Sequence, residues 1–234
     1  MNTPARTVMI TGAAGNLGRC VARSFLAEGA RLVLVDLRRE RLEEAFGAED
    51  ERHLFAPANL LDQEQANGVA KAALERFTRI DVLCNLAGGF RMGEAVHETA
   101  DKNWDFLFDI NTRTLLHAVR AVVPHMIQSG GGKIVNVGAF AAQKGLAGMG
   151  AYSAAKGAVI RLTEAMAAEL REKNINVNCV LPTIIDTPEN RAAMPDADPS
   201  RWVAPEDLAS AIAFLASDGA RAIHGAALPV TALS

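Results

Sequence analysis

Along the 234-residue chain, short and almost wholly apolar runs alternate with longer stretches in which apolar positions recur every three or four residues. The short runs are TVMIT (7–11), RLVLVD (31–36), HLFAPA (53–58), IDVLCNLA (80–87), GKIVNVG (132–138), INVNCVLP (175–182) and AALPVT (226–231). Continuous apolar runs suit parallel strands covered on both faces, whereas strands with one wet face alternate apolar and polar residues. The longer stretches predict helices over 16–28, 38–46, 63–77, 101–129, 151–173 and 205–217. Strand and helix taking turns in this way predict an α/β fold, a doubly wound parallel β-sheet flanked by helices, as a single domain over 1–234. The stretch 183–204 holds Pro188, Pro195 and Pro199 and no clear period. It reads as a long, irregular and mobile flap beside a site.

Composition narrows the function classes. Half of the residues are hydrophobic, enough for a sizeable core. A net charge of −3 with no run of like charges gives no reason to expect a nucleic-acid partner. No 18-residue apolar run is free of charge, so no membrane span is expected. The start, MNTPARTVMITG, lacks a charged segment followed by a long apolar core, so no leader is expected and the chain reads as cytoplasmic. Cys20, Cys84 and Cys179 stand far apart among apolar neighbours and read as buried thiols. The five histidines show no metal-ligand spacing, and no metal is expected.

The first strand runs directly into Gly12, Gly15 and Gly18, and a helix follows. Glycines there let the backbone turn tightly and approach a pyrophosphate, while the helix start offers unpaired N–H groups to it. With strand before and helix after, this is a Rossmann-type dinucleotide loop. Asp36 ends the second strand, 18 residues beyond Gly18. A carboxylate there accepts hydrogen bonds from the adenosine ribose hydroxyls and repels a 2′-phosphate, which predicts NADH/NAD preferred over NADP. Arg38, Arg39 and Arg41 follow and argue the other way, but read as a solvated helix face.

Tyr152 and Lys156 lie four residues apart in a predicted helix, so both face one side. A free phenol titrates near pH ~10, too high for easy proton exchange at neutrality. A nearby ammonium favours the phenolate and lowers that value, making the tyrosine a usable general acid.

Taken together, the glycine loop from Thr11 to Gly18, NLAG at 85–88, Asn111 in the long middle helix, Tyr152-x-x-x-Lys156 and NCVLPTIIDT at 178–187 resemble the short-chain dehydrogenase/reductase family over nearly the whole chain. The resemblance implies an NAD(P)H-dependent oxidoreductase with a small-molecule substrate, assembled as a homodimer or homotetramer on a helix bundle. It implies that Asn85, Ala87 and Gly88 line the adenosine half of the cofactor, with Asn59 and Leu60 near the adenine and Asn16 and Leu17 in the glycine loop. Lys156 holds the nicotinamide ribose, Pro182, Ile184 and Thr187 lie near the carboxamide, and Asn111 supports a water chain to Lys156. The chain departs from the family at Asn16, at Asn59, where an aspartate is usual, and at Thr183, where a glycine is usual. It also lacks the family's catalytic serine: thirteen residues before Tyr152 stands Ala139.

That serine donates to a carbonyl oxygen as it gains negative charge, and such a donor is commonly worth a hundredfold or more in rate, on the order of 3 kcal/mol. An electron-poor substrate that takes its proton on nitrogen needs it less. In this respect, and in AGMGAYSAAKGAV (147–159), AGG (87–89) and LPTIIDTPENRAAMPDADPSRW (181–202), the chain resembles the quinonoid dihydropteridine reductases, a branch of the family that has alanine at this place. The implied reaction is reduction of a quinonoid dihydropterin to the tetrahydropterin, with the flap closing so that Trp202 or Met194 shields the ring. Two alternatives stand beside it: a reductase of other activated carbonyls (a 3-oxoacyl thioester, a ketone or a quinone), and a catalytically weak NAD-binding regulator.

Overall fold

A computed structural model describes residues 5–234; Met1 to Pro4, the start of the stretch read for a leader, lie outside it. The strands β1 (Thr7–Thr11), β2 (Arg31–Asp36), β3 (His53–Pro57), β4 (Val82–Asn85), β5 (Gly132–Val137), β6 (Ile175–Pro182) and β7 (Ala227–Val230) form one parallel sheet in the order β3-β2-β1-β4-β5-β6-β7. Every residue of β1, β4 and β6 is buried, as the continuous apolar runs required. Alternate residues of each strand feed different layers. Val8 and Ile10 join the core under α1 (Asn16–Ala27) and α8 (Pro205–Leu215). Met9 joins the core under α3 (Gln63–Phe77), α5 (Thr114–Gln128) and α6 (Gly150–Leu170). The remaining helices are α2 (Arg39–Phe46), α4 (Asp101–Phe108) and α7 (Pro188–Ala193). Among the described residues no helix is long and apolar enough to cross a membrane.

Three expected elements differ. The run 80–87 pairs in the sheet only over Val82–Asn85, because the amides of Leu86 and Ala87 leave the ladder to donate to the Thr11 hydroxyl at 3.0 and 3.1 Å. The helix expected over 101–129 is broken by a π turn, Asp109–Arg113, between α4 and α5. The 183–204 stretch, expected to be irregular, holds short helical elements. Thr187 caps α7 by accepting from the Asn190 amide at 3.2 Å, Pro188 opens that helix, and Pro199 opens a second helical turn over Pro199–Arg201. Proline at a first helical position costs no hydrogen bond, so these prolines start structure instead of preventing it. A backbone bridge joins Ile185 to Val203, and Trp202 is buried at 6% exposure.

A polar thread crosses the buried sheet. Asn85 donates to Asn136 at 2.9 Å, Asn136 donates to Thr163 on α6 at 2.9 Å, and Thr163 donates to the Val159 carbonyl at 2.8 Å. Asn136→Ala strands the Asn85 amide without its acceptor in a dry interior. Unfolding in urea should show a loss of about 2 kcal/mol, and a loss below a few tenths would mean that water replaces the contact.

Candidate active site

The site forms where the strand order reverses, between β1 and β4, at the carboxyl ends of the strands. Gly12 adopts φ +66°, and a β-carbon there would meet the Ala87 backbone at 3.0 Å. A β-carbon on residue 18 would come within 2.5 Å of the Ala13 carbonyl oxygen. Glycine is therefore required at both places, and the close approach leaves a cradle against the start of α1. Gly15 is the N-cap of α1 and offers no side-chain partner to the first-turn N–H groups, which stay open to an anion. Beside the loop runs a groove of about 370 Å³ whose walls include Gly15, Asp36, Asn59, Leu60 and Ala87. Asp36 is buried and fixed: it accepts from the Ala14 amide at 3.2 Å and the Leu37 amide at 2.9 Å. Arg41, read from sequence as solvated, donates to the same carboxylate at 3.1 Å because α2 turns it back over the end of β2.

At Leu86 and Gly88 the groove meets a larger cavity of about 830 Å³. Its walls bring together Leu17, Ala139, Tyr152, Lys156, Pro182 and Ile184, from the glycine loop, the ends of β5 and β6, and α6. Ala139 is buried and presents only a methyl group. Apolar side chains neighbouring it include Phe90, Phe140, Leu146 and Met149.

A model of the short chain dehydrogenases matches residues 6–198. The chain is a short-chain dehydrogenase/reductase. It is 33% identical over 240 residues to the 2-(R)-hydroxypropyl-CoM dehydrogenase of Xanthobacter autotrophicus, covering 96% of each chain. It is 32% identical over 237 residues to the 3-oxoacyl-(acyl-carrier-protein) reductase FabG of Thermotoga maritima, again covering 96% of each. Among solved structures it is similar to a 3-ketoacyl-(acyl-carrier-protein) reductase from Brucella melitensis complexed with NADH, at TM-score 0.87 and 28% identity, covering 97% of each chain. The protein is thus an NAD(P)-dependent oxidoreductase, and the groove and cradle are of the kind its nicotinamide cofactor needs.

Several residues expected at the cofactor also have protein partners in this short-chain dehydrogenase/reductase. Asn85 turns into the sheet toward Asn136, so its side chain does not line the groove. Gly18 serves packing, with its neighbours as the limit. Asn16 donates to Glu189 of α7 at 2.7 Å and so ties the glycine loop to the flap. Thr187 caps α7 by accepting from the Asn190 amide, which leaves its hydroxyl hydrogen free to donate. Asn111 occupies the π turn and is buried; its amide donates to the Gly89 and Leu107 carbonyls, each at 2.9 Å, and its oxygen accepts from the Gly89 amide at 3.1 Å. Both of its N–H groups are therefore committed to backbone, at Gly89 and Leu107, and its side chain makes no direct hydrogen bond to Lys156. Neither Met194 nor Trp202 lines the cavity, and Trp202 is buried. Asn190 lines the cavity instead. The motif that suggested a pterin flap also has a local structural role. Asp186 and Arg191 form a two-pronged pair at 2.6 and 2.7 Å, and Asn190 donates to the Ile185 carbonyl at 2.8 Å.

The electrostatics of the pair also differ from expectation. Burial alone pushes the Tyr152 phenol up to about 12, where a lowered value was expected. Lys156 donates to the Val137 carbonyl at 2.8 Å, and burial brings it down to about 8, with the nearby Cys179 acting weakly the other way. Tyr152 therefore keeps its proton at neutral pH and gives it up less readily than a free phenol, and Lys156 is the group that titrates in the working range. Below about pH 8 Lys156 is charged, and above it the charge is lost. The reductive kcat/KM should therefore fall above about pH 8, while the phenol imposes no loss until far higher pH. Lys156→Arg should move that limb upward, and an unshifted limb in the variant would assign it to another group.

Proposed function

We propose that this protein is an NADH-dependent reductase that converts a quinonoid dihydropterin to the tetrahydropterin. The observation that carries the reading is Ala139. At the end of β5, on the cavity wall it shares with Tyr152, it offers no hydroxyl to a developing oxyanion. A ketone becoming an alkoxide would miss that donor. A quinonoid ring carries its electron deficiency over conjugated nitrogens and needs a proton more than an oxyanion partner. The nicotinamide, when bound, supplies the hydride. The chain's own residues hold the acceptor in the cavity, keep a proton ready on the Tyr152 oxygen for the ring nitrogen, and place the Lys156 ammonium beside the Val137 carbonyl, where it can take a ribose hydroxyl. Gly12, Gly15 and the start of α1 would cradle the pyrophosphate, and Asp36 would take the adenosine ribose.

A second reading, reduction of an activated carbonyl such as a 3-oxoacyl thioester, is supported by the relatives' names and by the volume of the cavity. We further read the enzyme as cytoplasmic, on its three free thiols, and as a homo-oligomer, on the Trp104–Phe108 stack that α4 presents with Trp104 exposed.

Steady-state assays with chemically generated quinonoid dihydropterin, against a panel of 3-oxoacyl thioesters and ketones, separate the two readings. Higher kcat/KM on any panel ketone than on the pterin overturns the first. Ala139→Ser should leave pterin reduction within a fewfold of wild type while raising ketone reduction. A large gain on the pterin would show that its reduction does charge an oxygen. Tyr152→Phe should lower kcat by roughly 10²–10⁴ with NADH affinity kept, since only the acid is removed.

Cofactor choice gives a separate test. A 2′-phosphate would have to sit against the fixed Asp36 carboxylate, which should cost at least ~1.4 kcal/mol, so NADH should be preferred over NADPH by about tenfold or more. Asp36→Ala frees Arg41 for the phosphate and should narrow that gap; equal kcat/KM for the two cofactors in wild type would refute the assignment.

A further inference from the structure

Residues 88–91 form a loop segment that is fastened on both sides of one exposed ring. On one side, Gly89 is gripped through both its amide and its carbonyl by Asn111. The grip has no slack: a β-carbon on residue 88 would meet the Asn111 oxygen at 2.9 Å, and one on residue 89 would meet Phe106 at 3.0 Å and Ile110 at 3.2 Å. On the other side, the Arg91 guanidinium lies 3.8 Å over the Phe106 ring and donates to Asn103 at 2.6 Å. Phe90, between these two anchors, is 53% exposed and borders the large cavity. Its ring meets Tyr152 with centroids 4.8 Å apart and planes at 88°.

A singly exposed phenylalanine on a loose loop would need no explanation. Here the backbone is pinned by a buried asparagine, two glycines and a stacked arginine, and the exposed apolar group so presented is an aromatic ring beside Tyr152. We propose that Phe90 is a specificity-determining residue, the platform on which a planar conjugated acceptor stacks, and that the Asn111–Gly89 clamp is what holds that platform against Tyr152. The inference deepens the proposed function by naming the class of acceptor, flat and conjugated, that the same site selects.

In this arrangement Asn111 is a positioning residue. From the π turn, one of its N–H groups goes to the Leu107 carbonyl four residues earlier while the other crosses to Gly89. The edge-to-face contact fixes the Tyr152 ring without using its oxygen, so the phenol stays free to donate while its orientation is set by an apolar neighbour.

The test compares a flat aryl ketone with an aliphatic ketone of similar size, both reduced with NADH by wild type, Phe90→Ala and Phe90→Tyr. Phe90→Ala should reduce the aryl-over-alkyl preference in kcat/KM by roughly tenfold, mainly through the aryl KM. Phe90→Tyr should restore it, and the Kd for NADH should be the same in all three, which shows that folding is intact. Equal losses on both ketones, or no rescue by tyrosine, would overturn the inference, since either marks a general packing defect. A second arm titrates pterin, the fully oxidised and redox-inert ring, into NAD-saturated enzyme. Weaker binding to Phe90→Ala by a similar factor supports the platform, and unchanged binding overturns it. If wild type neither binds pterin nor reduces its quinonoid form, the pterin reading fails alone, and the ketone comparison still decides the role of Phe90.

Discussion

Three backbone segments meet almost in contact at the carboxyl end of β1, and the site is built outward from that meeting. Gly12 lies against Ala87, residue 18 against the Gly12–Ala13 turn, and the Thr11 hydroxyl takes the first two amides beyond β4. None of the three tolerates an added methyl group or a lost hydroxyl without moving the others. Because β1 and β4 part here toward opposite wings of the sheet, the close approach opens a crevice on either side: the groove toward Asp36 and the cavity toward Tyr152. Helix α1 starts where the cradle ends, so the same glycines that allow the approach also aim its free N–H groups into the crevice.

The frame of this molecule was legible because its signals are local. Apolar runs buried on both faces announce parallel strands, and the glycine spacing announces the turn that only glycine can make. What was not legible depends on partners distant in sequence. Nothing in IDVLCNLA says that its last residues will leave the sheet, because the acceptor that draws them out is Thr11, some 75 residues earlier. Asn111 looks like any polar residue in a long helix, and the π turn that commits it to Gly89 has no periodicity to betray it. In the flap, three prolines suggested irregularity, yet Pro188 and Pro199 stand at the first turns of short helices, where a missing N–H costs nothing. The Asp186–Arg191 pair and the Thr187 cap show how a motif that hinted at a ligand can be spent on shaping the segment that carries it.

Tyr152 and Lys156 illustrate a different limit of sequence reasoning. Spacing places both on one face of α6, but the sign of a pKa shift is decided by what each side chain loses on burial. The phenol is desolvated, and burial is the cause of its shift; the ammonium is desolvated too and turned to a backbone carbonyl. The pair therefore rests as a strongly held proton beside a cation that is easily discharged. A tyrosine held in this way arrives protonated at neutral pH, although it gives its proton up less readily than a free phenol.

Ala139 and Phe90 belong to one account of how the site treats its acceptor. A reductase can lower its barrier by meeting a growing negative charge with a donor, or by choosing an acceptor whose conjugation spreads that charge and then holding the ring flat against the hydride. The first way needs a hydroxyl at the end of β5, and this chain has a methyl there. The second needs a rigid apolar surface at a fixed angle to the proton donor, and the Asn111–Gly89 clamp supplies one in Phe90. Orientation of this kind acts through position more than through charge, so it tolerates a phenol that stays neutral up to about pH 12. On the proposed reading, the methyl of Ala139 and the pinned ring of Phe90 both suit an acceptor that is flat and conjugated.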